Sequence, residues 1–467
     1  MKNSGKVTAL VILWSAFIML LTSVPYLAAD RTTPAGMKFM GFVNLDPDQN
    51  SYLAWTKQSA DGKYLFEDKF TTERQTGMFF HPLFLALGKI SSISGISVPA
   101  VYHASRVFLG FCLLITLYLF SGILWKDTAK RIMFFLLVSL SSGIGWILPP
   151  SAYHGGGFFA NFGIIPLDLW MDEAITFLAL CIRPLFILAL INIVGIFWAI
   201  LAYLKTKKPI WLAVSALLAA LLVLIHPHNF PAVLLALVIF TVFSFRDKKT
   251  FRPMLGVLAA VLLVSAPPFV YQATLFTVDP VLSAWSSSPA ASSNPYSYFI
   301  CFGILALLAL YNAVAANDNS SRRMMMTAWI ASILICVYLP LSFQRRLIMG
   351  IHIPLCVLSV DALYALKKKY FHGTEAVSLF AIILVFTSIS NFRFLWEVMA
   401  DVKNAPLNHC LFYPEADALD WMDINIPHDK TVLAGPGIGL YIPGRAGNKV
   451  FCGHYDQTLS FKNKIEI

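Results

Sequence analysis

Long, unbroken apolar runs constrain this chain more than any other feature. The first extends from Thr8 to Ala29 behind Lys2 and Lys6, and comparable runs recur almost to residue 390. About 20 apolar residues are enough for a helix to cross the hydrocarbon core of a membrane. Strands of a transmembrane barrel would instead alternate apolar and polar residues. We therefore expect an all-α multi-pass membrane protein, with Thr8–Ala29 as an uncleaved anchor rather than a signal peptide.

Composition supports this expectation and excludes some partners. Hydrophobic residues make up 58% of the chain and charged residues 13%, whereas soluble domains carry roughly a quarter charged residues. The net charge of +10 comes largely from Lys and Arg in short loops between apolar runs, where basic residues orient a protein in the bilayer. We expect the lipid bilayer, and no nucleic acid, as a partner.

Placing the basic loops in the cytoplasm gives one path for the chain. It has a cytoplasmic N-terminus and about eleven spans in a membrane domain over residues 1–390. An extracytoplasmic C-terminal segment follows over 391–467, and whether this segment is complete in itself is left open. The expected external loops include 30–102, with an amphipathic piece at His81–Ser91, and 151–176. The second span is expected at His103–Leu124 and the third at Ile132–Pro149. The seventh is expected to end near Tyr271, and the eleventh to cover Val377–Ile389.

The C-terminal segment is more polar than the rest of the chain. Pro414–Asn425 has the pattern of an amphipathic helix and Thr431–Ala434 that of a short strand, so we expect a small α/β cap. Cys410 and Cys452 lie in this segment without CxxC or metal-ligand spacing. A disulfide between them remains open, because a sequence does not fix the distance between two Cα atoms.

The first external loop contains the strongest candidate for chemistry. Its stretch from Asn44 to Arg74 is polar, and Asp46 and Asp48 stand about one turn ahead of the aromatic residues Tyr52 and Trp55. A carboxylate at a membrane surface can act as a general base. Asp is also favoured at helix N-termini, where it caps backbone N–H groups. The pair is therefore a candidate for either role.

Other charged and histidine residues fall on the same predicted face. Acids together with arginines describe a site that moves a proton and holds an anion, because arginine binds phosphate through a planar fork. Three of these groups also have a structural interpretation. Asp168, Asp172 and Glu173 could be an acidic first turn of a helix, and the two histidines around Pro227 could belong to a structural turn. The arginine pair could contact lipid headgroups. These candidates are Arg74, His81, Arg106, Asp168, Asp172, Glu173, Arg183, His226, His228, Arg345 and Arg346.

Several motifs resemble the GT-C superfamily of integral membrane glycosyltransferases, which includes O-mannosyltransferases and aminoarabinose transferases. They are DQNSYLAWTKQSADG, HASRVFLG, DLWMDEAITF, LIHPHNF, LPLSFQRRLIMGIHIPL and ALDWMDINIP with GRAGNKVFCGH, and they look like a bacterial branch of that superfamily. The resemblance implies transfer of a sugar from a polyprenyl-phosphate carrier to a glycan, lipid or protein acceptor.

The resemblance also implies roles for individual residues. Asp48 best matches the acid that activates the acceptor, and Asp46 is the second choice, because Pro47 separates the two acids here. Basic residues, among them Arg74, Arg345 and Arg346, would hold the lipid phosphate. No cofactor is certain, and a divalent metal is allowed.

A transporter or a flippase for lipid-linked sugars is the main alternative to a transferase. Such a protein would also be polytopic and carry charges near its spans. Long external loops without internal counterparts argue against it, as does the lack of paired interrupted helices in two halves of the sequence. An inactive membrane scaffold would tolerate replacement of both Asp46 and Asp48.

Overall fold

The computed structural model of the protein describes residues 2–43, 47–149, 159, 161–315, 320–370 and 374–466, and it is mostly helical. The helices are α1 Lys2–Thr32, α2 Asp48–Ala60, α3 Pro82–Ser94, α4 Val98–Leu124, α5 Thr128–Leu140, α6 Thr176–Ile182, α7 Pro184–Thr206, α8 Pro209–Ile225, α9 Phe230–Phe243, α10 Lys248–Val278, α11 Pro280–Ser286, α12 Pro295–Ala315, α13 Ser321–Cys336, α14 His352–Tyr370, α15 Glu375–Asn404, α16 Tyr413–Asn425, α17 Pro436–Gly439, α18 Ile442–Arg445 and α19 Phe461–Lys464. The strands are β1 Met37–Phe39, β2 Cys410–Phe412, β3 Thr431–Val432 and β4 Lys449–Val450.

Seven helices in the described part of the chain are long and apolar enough to cross a membrane, by length and composition. Each of the roughly eleven predicted spans coincides with a helix, but four of these helices are short. At about 1.5 Å per residue, a helix of 13 to 17 residues covers only about 20 to 25 Å of a hydrocarbon core about 30 Å thick. The four short helices are α5, α8, α9 and α13.

The third predicted span, Ile132–Pro149, is wrong in its second half. Helix α5 ends at Leu140, and a 3₁₀ turn at Gly145–Ile147 follows. The intervening chain pairs with another segment, since Ile144 N–H donates to the Ile300 carbonyl at 2.9 Å. A Cβ at Gly143 would lie 2.3 Å from the carbonyl oxygens of Ile300 and Cys301. Backbone contact of this kind ends the helix although the sequence stays apolar.

Two predicted boundaries fall short because helices continue beyond the apolar stretch. Helix α10 runs to Val278 instead of ending near Tyr271, and α15 runs to Asn404 instead of Ile389. Hydropathy marks where a helix is apolar, whereas its hydrogen bonds continue as long as the backbone is unobstructed.

The chain divides into two compact units, each of which gathers separate stretches of sequence. Unit 1 contains residues Met1–Thr22, Phe108–Pro267 and Ala290–Trp396, and unit 2 contains Ser23–Val107, Pro268–Pro289 and Glu397–Ile467.

Unit 2 joins the first loop to the C-terminal segment through its backbone. Strands β1 and β2 pair antiparallel, with Met37 opposite Phe412, and β3 pairs parallel to β4. Helix α18 packs on α2 so closely that a Cβ at Gly444 would lie 2.9 Å from the Leu53 Cβ. Their shared apolar core includes Met40, Ala54, Phe70, Leu411, Ala416, Leu419, Ile442 and Val450. Cys410 and Cys452 are buried free thiols in this unit.

Unit 1 carries the longer run of packed membrane helices. In it α7 packs against α8, α9 against α13, and α12 against α14. Helix α15 fixes the turn that follows α5: the Asn391 amide donates to the Leu140 carbonyl at 2.7 Å, and the Arg393 guanidinium donates to the Leu148 carbonyl at 2.7 Å.

Candidate functional site

Asp48 is the first residue of α2, and its carboxylate faces a histidine from the C-terminal segment. The residue before it, Pro47, occupies the N-cap position without a side-chain cap. The Asp48 side chain keeps 18% of its surface exposed, and its Oδ1 lies 3.3 Å from Nε2 of His454. This contact has ion-pair distance without the alignment of a full hydrogen bond. Asp46, the second predicted acid, lies outside the described residues.

The backbone around His454 defines which nitrogen of its buried ring carries the proton. Nδ1 lies 3.1 Å from the Asp456 N–H and 3.3 Å from the Gln457 N–H. An N–H group only donates, so Nδ1 must present its lone pair. The proton of the neutral ring is therefore on Nε2, the nitrogen nearest the Asp48 carboxylate.

The loop that carries His454 is bonded to the first loop at two further points. The Ser51 hydroxyl, one turn along α2 from Asp48, donates to Oε1 of Gln457 at 2.9 Å. The Thr458 hydroxyl donates to the Phe70 carbonyl at 2.7 Å. We call residues 453–458 the histidine loop. Its contacts place His454 over the first turn of α2.

A second carboxyl group, Asp68, is buried in the first loop near His454. Its side chain is part of an Asx turn, since Oδ1 accepts the Phe70 N–H at 2.7 Å. Burial raises the pKa of Asp68 to about 7, although the Phe70 N–H and the nearby His454 and Lys449 act in the opposite direction. An acid that releases its proton near neutral pH is typical of functional sites, and it also occurs in structural networks.

The remainder of the first loop is held by α10 and α11. Asp279 caps α11 and accepts both the backbone N–H and the hydroxyl of Thr76, at 2.6 and 2.8 Å. Burial would raise the pKa of Asp279, but these donors and the α11 N–H groups lower it below its ordinary value. Arg74, two residues before Thr76, is exposed.

His81 and Arg106, two further candidates in unit 2, are buried in aromatic surroundings. The His81 ring stacks on Phe84 with centroids 4.2 Å apart. The Arg106 guanidinium lies 4.6 Å from the centre of the Tyr26 ring and donates to the Ser23 hydroxyl at 3.0 Å. Both side chains are therefore in contact with aromatic rings of unit 2.

Unit 1 brings together most of the other candidates through aromatic contacts. Arg183, in the turn before α7, pairs with Asp172, with Nε and Oδ2 2.9 Å apart. The Arg183 guanidinium also lies 4.6 Å from the centre of the Phe186 ring. The Phe186 ring also meets the His226 ring edge-on, with the two ring centroids 5.3 Å apart. The second acidic loop and the histidine turn thus form one cluster.

The arginine pair joins the same cluster. His228 meets the His226 ring at 5.7 Å and stacks on Phe343 at 4.6 Å. Arg346 lies within electrostatic range of His228. Arg345 places its guanidinium 5.1 Å from the centre of the Trp170 ring, in the second acidic loop. We call Asp172, Arg183, His226, His228, Arg345 and Arg346 the cationic cluster.

Asp168 and Glu173, from the same acidic loop, differ from Asp172 in their surroundings. Asp168 is fully buried, and its Oδ2 accepts the Ser390 hydroxyl at 2.7 Å and the Gly145 N–H at 2.9 Å. Burial raises the pKa of Asp168 to about 6 against the effect of these donors. Its contacts connect the turn after α5 to α15. Glu173 is half-buried.

Within the described ranges, no three His, Cys, Asp or Glu side chains converge closely enough to hold a metal ion. His454 and Asp68 are the residues of the site that sequence reasoning missed. The only sequence signal for His454 is its position in the polar Cys-Gly-His stretch that takes part in the family resemblance.

Comparisons with known proteins support the fold. No family model matches the sequence, and no curated protein matches it. The structure is similar to the oligosaccharyltransferase AglB from Archaeoglobus fulgidus in the apo form, with a TM-score of 0.56 and 13% identity over 95% of this chain and 65% of that one. The same enzyme in complex with an inhibitory peptide and a dolichol-phosphate gives a TM-score of 0.55 and 12% identity over the same shares.

A second similar structure is ArnT from Cupriavidus metallidurans bound to undecaprenyl phosphate. It gives a TM-score of 0.58 and 11% identity over 94% of this chain and 85% of that one. The chain spans slightly less than two thirds of the length of the archaeal enzyme, 64% in its peptide-tethered form. At these identities the likeness shows the fold alone: about 95% of the chain is structurally similar to these GT-C glycosyltransferases.

Proposed function

We propose that the protein is a membrane glycosyltransferase that moves a sugar from a polyprenyl-phosphate carrier to a glycan, lipid or protein acceptor on the extracytoplasmic face. The observation that carries the proposal is the partly exposed Asp48 carboxylate, paired with His454, in a chain with the GT-C fold. Two of the similar structures contain a polyprenyl-type phosphate, dolichol-phosphate in one and undecaprenyl phosphate in the other. A carrier of that class is the donor we assign to this chain.

The proposed reaction gives Asp48 the role of general base. An acceptor hydroxyl is a weak nucleophile, and it gains strength as its proton passes to the Asp48 carboxylate. The hydroxyl oxygen forms a bond to the anomeric carbon of the sugar while the bond from that carbon to the phosphate oxygen breaks. The electron pair leaves with the polyprenyl phosphate. The reaction then ends with a glycosylated acceptor, a protonated Asp48 and the free lipid phosphate.

The cationic cluster, taken by itself, is a proposed phosphate-binding element of unit 1. Arginine stabilises the negative charge of a phosphate through charge-assisted hydrogen bonds. Arg345 rests on Trp170, which restrains its planar group. Arg346 provides a second positive charge, and His226 and His228 are proposed to contact the substrate. In unit 2, Arg74 is an exposed alternative for the phosphate role.

The proposal is tested in a strain of the source organism that lacks the gene. Mass spectrometry of its envelope glycans and lipid-linked sugars should show a product without one sugar and an accumulated donor. Wild-type protein should restore the product, and the Asp48→Asn variant should not, although it reaches the membrane in normal amounts. Loss of the base should lower transfer by about 10²- to 10⁴-fold.

A matched control distinguishes chemistry from helix stability. Asp61 follows the other end of α2 and pairs with Lys57 at 2.8 Å, so Asp61→Asn perturbs the same helix without touching Asp48. This variant should restore the product. A flippase without transferase activity would keep its function in the Asp48→Asn variant, and full restoration by that variant would refute the proposal.

A further inference from the structure

The histidine loop does more than cover the first turn of α2. His454 is fully buried, although a solvent-exposed position would cost an imidazole less in desolvation. Its ring edge packs against Phe70 at 5.6 Å, so the ring has little freedom to rotate. Nδ1 accepts from two backbone N–H groups, and Nε2 lies 3.3 Å from Oδ1 of Asp48.

We infer that His454 is a positioning residue, which holds the Asp48 carboxylate in its ionised form and in one orientation for proton transfer. This inference rests on the proposed function of Asp48. An N–H donor beside a carboxylate favours the charged form, because the negatively charged oxygen attracts the donor more strongly than a neutral carboxyl group does. The backbone of residues 456 and 457 fixes the ring so that the donor nitrogen, rather than the acceptor, lies next to Asp48. In this inference the first loop supplies the base, and the C-terminal segment orients that base and keeps it ionised.

Other charged groups lie near this pair in the described part of the chain. Asp68 lies near His454, and its own environment includes Lys449 and Asp279. The pKa of Asp68, raised to about 7 by burial, leaves this carboxyl protonated and neutral through the acidic range in which an ordinary aspartate titrates. Asp456 points its Oδ1 to the Ser288 hydroxyl at 3.0 Å. His454 is then the group whose removal should change the protonation of Asp48.

Two substitutions separate the two sides of the ring. The amide nitrogen of glutamine reaches the position of the imidazole Nε2, so His454→Gln keeps a donor for Asp48 and loses the acceptor for the loop. The side chain of asparagine reaches only the position of Nδ1, so His454→Asn keeps an acceptor for the backbone of residues 456 and 457 and loses the donor for Asp48. If His454 only stabilised the histidine loop, asparagine would be the better replacement. If His454 positions Asp48, glutamine should be the better replacement, because it keeps the donor.

The readout is the reactivity of Asp48 itself, which requires no sugar substrate. Carbodiimides modify protonated carboxyl groups, and mass spectrometry of the peptide that contains Asp48 gives its labelling rate between pH 3 and 8 in detergent-purified full-length protein. We expect the pH of half-maximal labelling to rise by about one unit in His454→Asn and to stay near the wild-type value in His454→Gln. Ser51→Ala, which removes the other bond from α2 to the histidine loop, serves as the control for loosening and should cause no such shift.

The outcomes separate this inference from the function on which it rests. A half-maximal pH that is unchanged in His454→Asn, or shifted equally in His454→Asn and Ser51→Ala, overturns the positioning role. The transfer assay with Asp48→Asn then still decides the proposed function. In that assay, the inference also requires His454→Gln to restore more product than His454→Asn at equal protein levels, and the reverse order overturns it.

Discussion

Asp68 should make the protein less stable than a neutral side chain would at alkaline pH, and this can be measured. The carboxyl is 3% exposed, and burial raises its pKa from 3.8 to about 7. The folded protein therefore holds this proton more tightly than the unfolded chain. Between pH 3.8 and about pH 7 the folded state binds more protons than the unfolded chain does. The free energy of unfolding therefore decreases as the pH rises through this range.

The magnitude follows from the difference between the two pKa values. About 3 units at about 1.4 kcal/mol per unit give about 4 kcal/mol, which is fully expressed above pH 7 and absent below pH 4. Asparagine is the matched replacement, since its carbonyl oxygen can accept the Phe70 N–H in the same Asx turn. We expect Asp68→Asn to be more stable than the wild type by up to about 4 kcal/mol at pH 8 and nearly equal to it at pH 4.

Thermal unfolding in detergent micelles, monitored by tryptophan fluorescence at both pH values, tests this expectation. Other groups also titrate over this range, but their contributions cancel in the difference between the two proteins. Asp68→Ala is the control: it removes the negative charge and also the acceptor for the Phe70 N–H, so it should be less stable than Asp68→Asn by about 1 to 3 kcal/mol. A stability difference between wild type and Asp68→Asn that is independent of pH would refute the reasoning.

Two further predictions concern packing and orientation. Gly88→Ala should destabilise the protein by about 1 to 3 kcal/mol in the same unfolding assay. The new Cβ would lie 2.3 Å from the Ser59 Cβ and 2.4 Å from the Thr56 carbonyl oxygen. Gly256→Ala is the control and should have little effect, because the new Cβ would have nothing within 4 Å. We also expect the N-terminus to be cytoplasmic and the C-terminal segment extracytoplasmic, so a reporter fused after Lys208 should score inside and one after Lys403 outside; the opposite pair would contradict this orientation.

The sequence predicts the helices well because a membrane leaves few alternatives for a long apolar run. It predicts their ends less well where tertiary contacts decide. Helix α5 stops at Leu140 in an apolar stretch because the following turn pairs with the backbone at Ile300. Helix α15 continues to Asn404 through polar residues, and three of these, Ser390, Asn391 and Arg393, bond to other segments of unit 1.

The candidate site is less predictable than the fold for a related reason. Asp48 can be proposed from its local context, ahead of an aromatic helix. Its neighbour His454 cannot, because the two segments that meet at the Ser51–Gln457 bond are 406 positions apart in the chain. Asp168 is a second example: its acidic motif suggests chemistry, but the sequence gives no sign that its buried carboxylate bonds to Ser390 and Gly145. Polarity in a sequence identifies such residues, but only their partners distinguish the roles.

The pairing of β1 with β2 also constrains how the protein is made. Residues 37–39 leave the ribosome early, but their partner strand at residues 410–412 is synthesised only after the apolar helices between them. During all that time α2 lacks α18, the element that covers its face at Leu53. The nascent first loop must therefore wait, incompletely folded, until translation is well advanced. A premature stop codon before β2 would leave this loop without its partner and open to proteases, even though nearly every membrane helix had already been inserted.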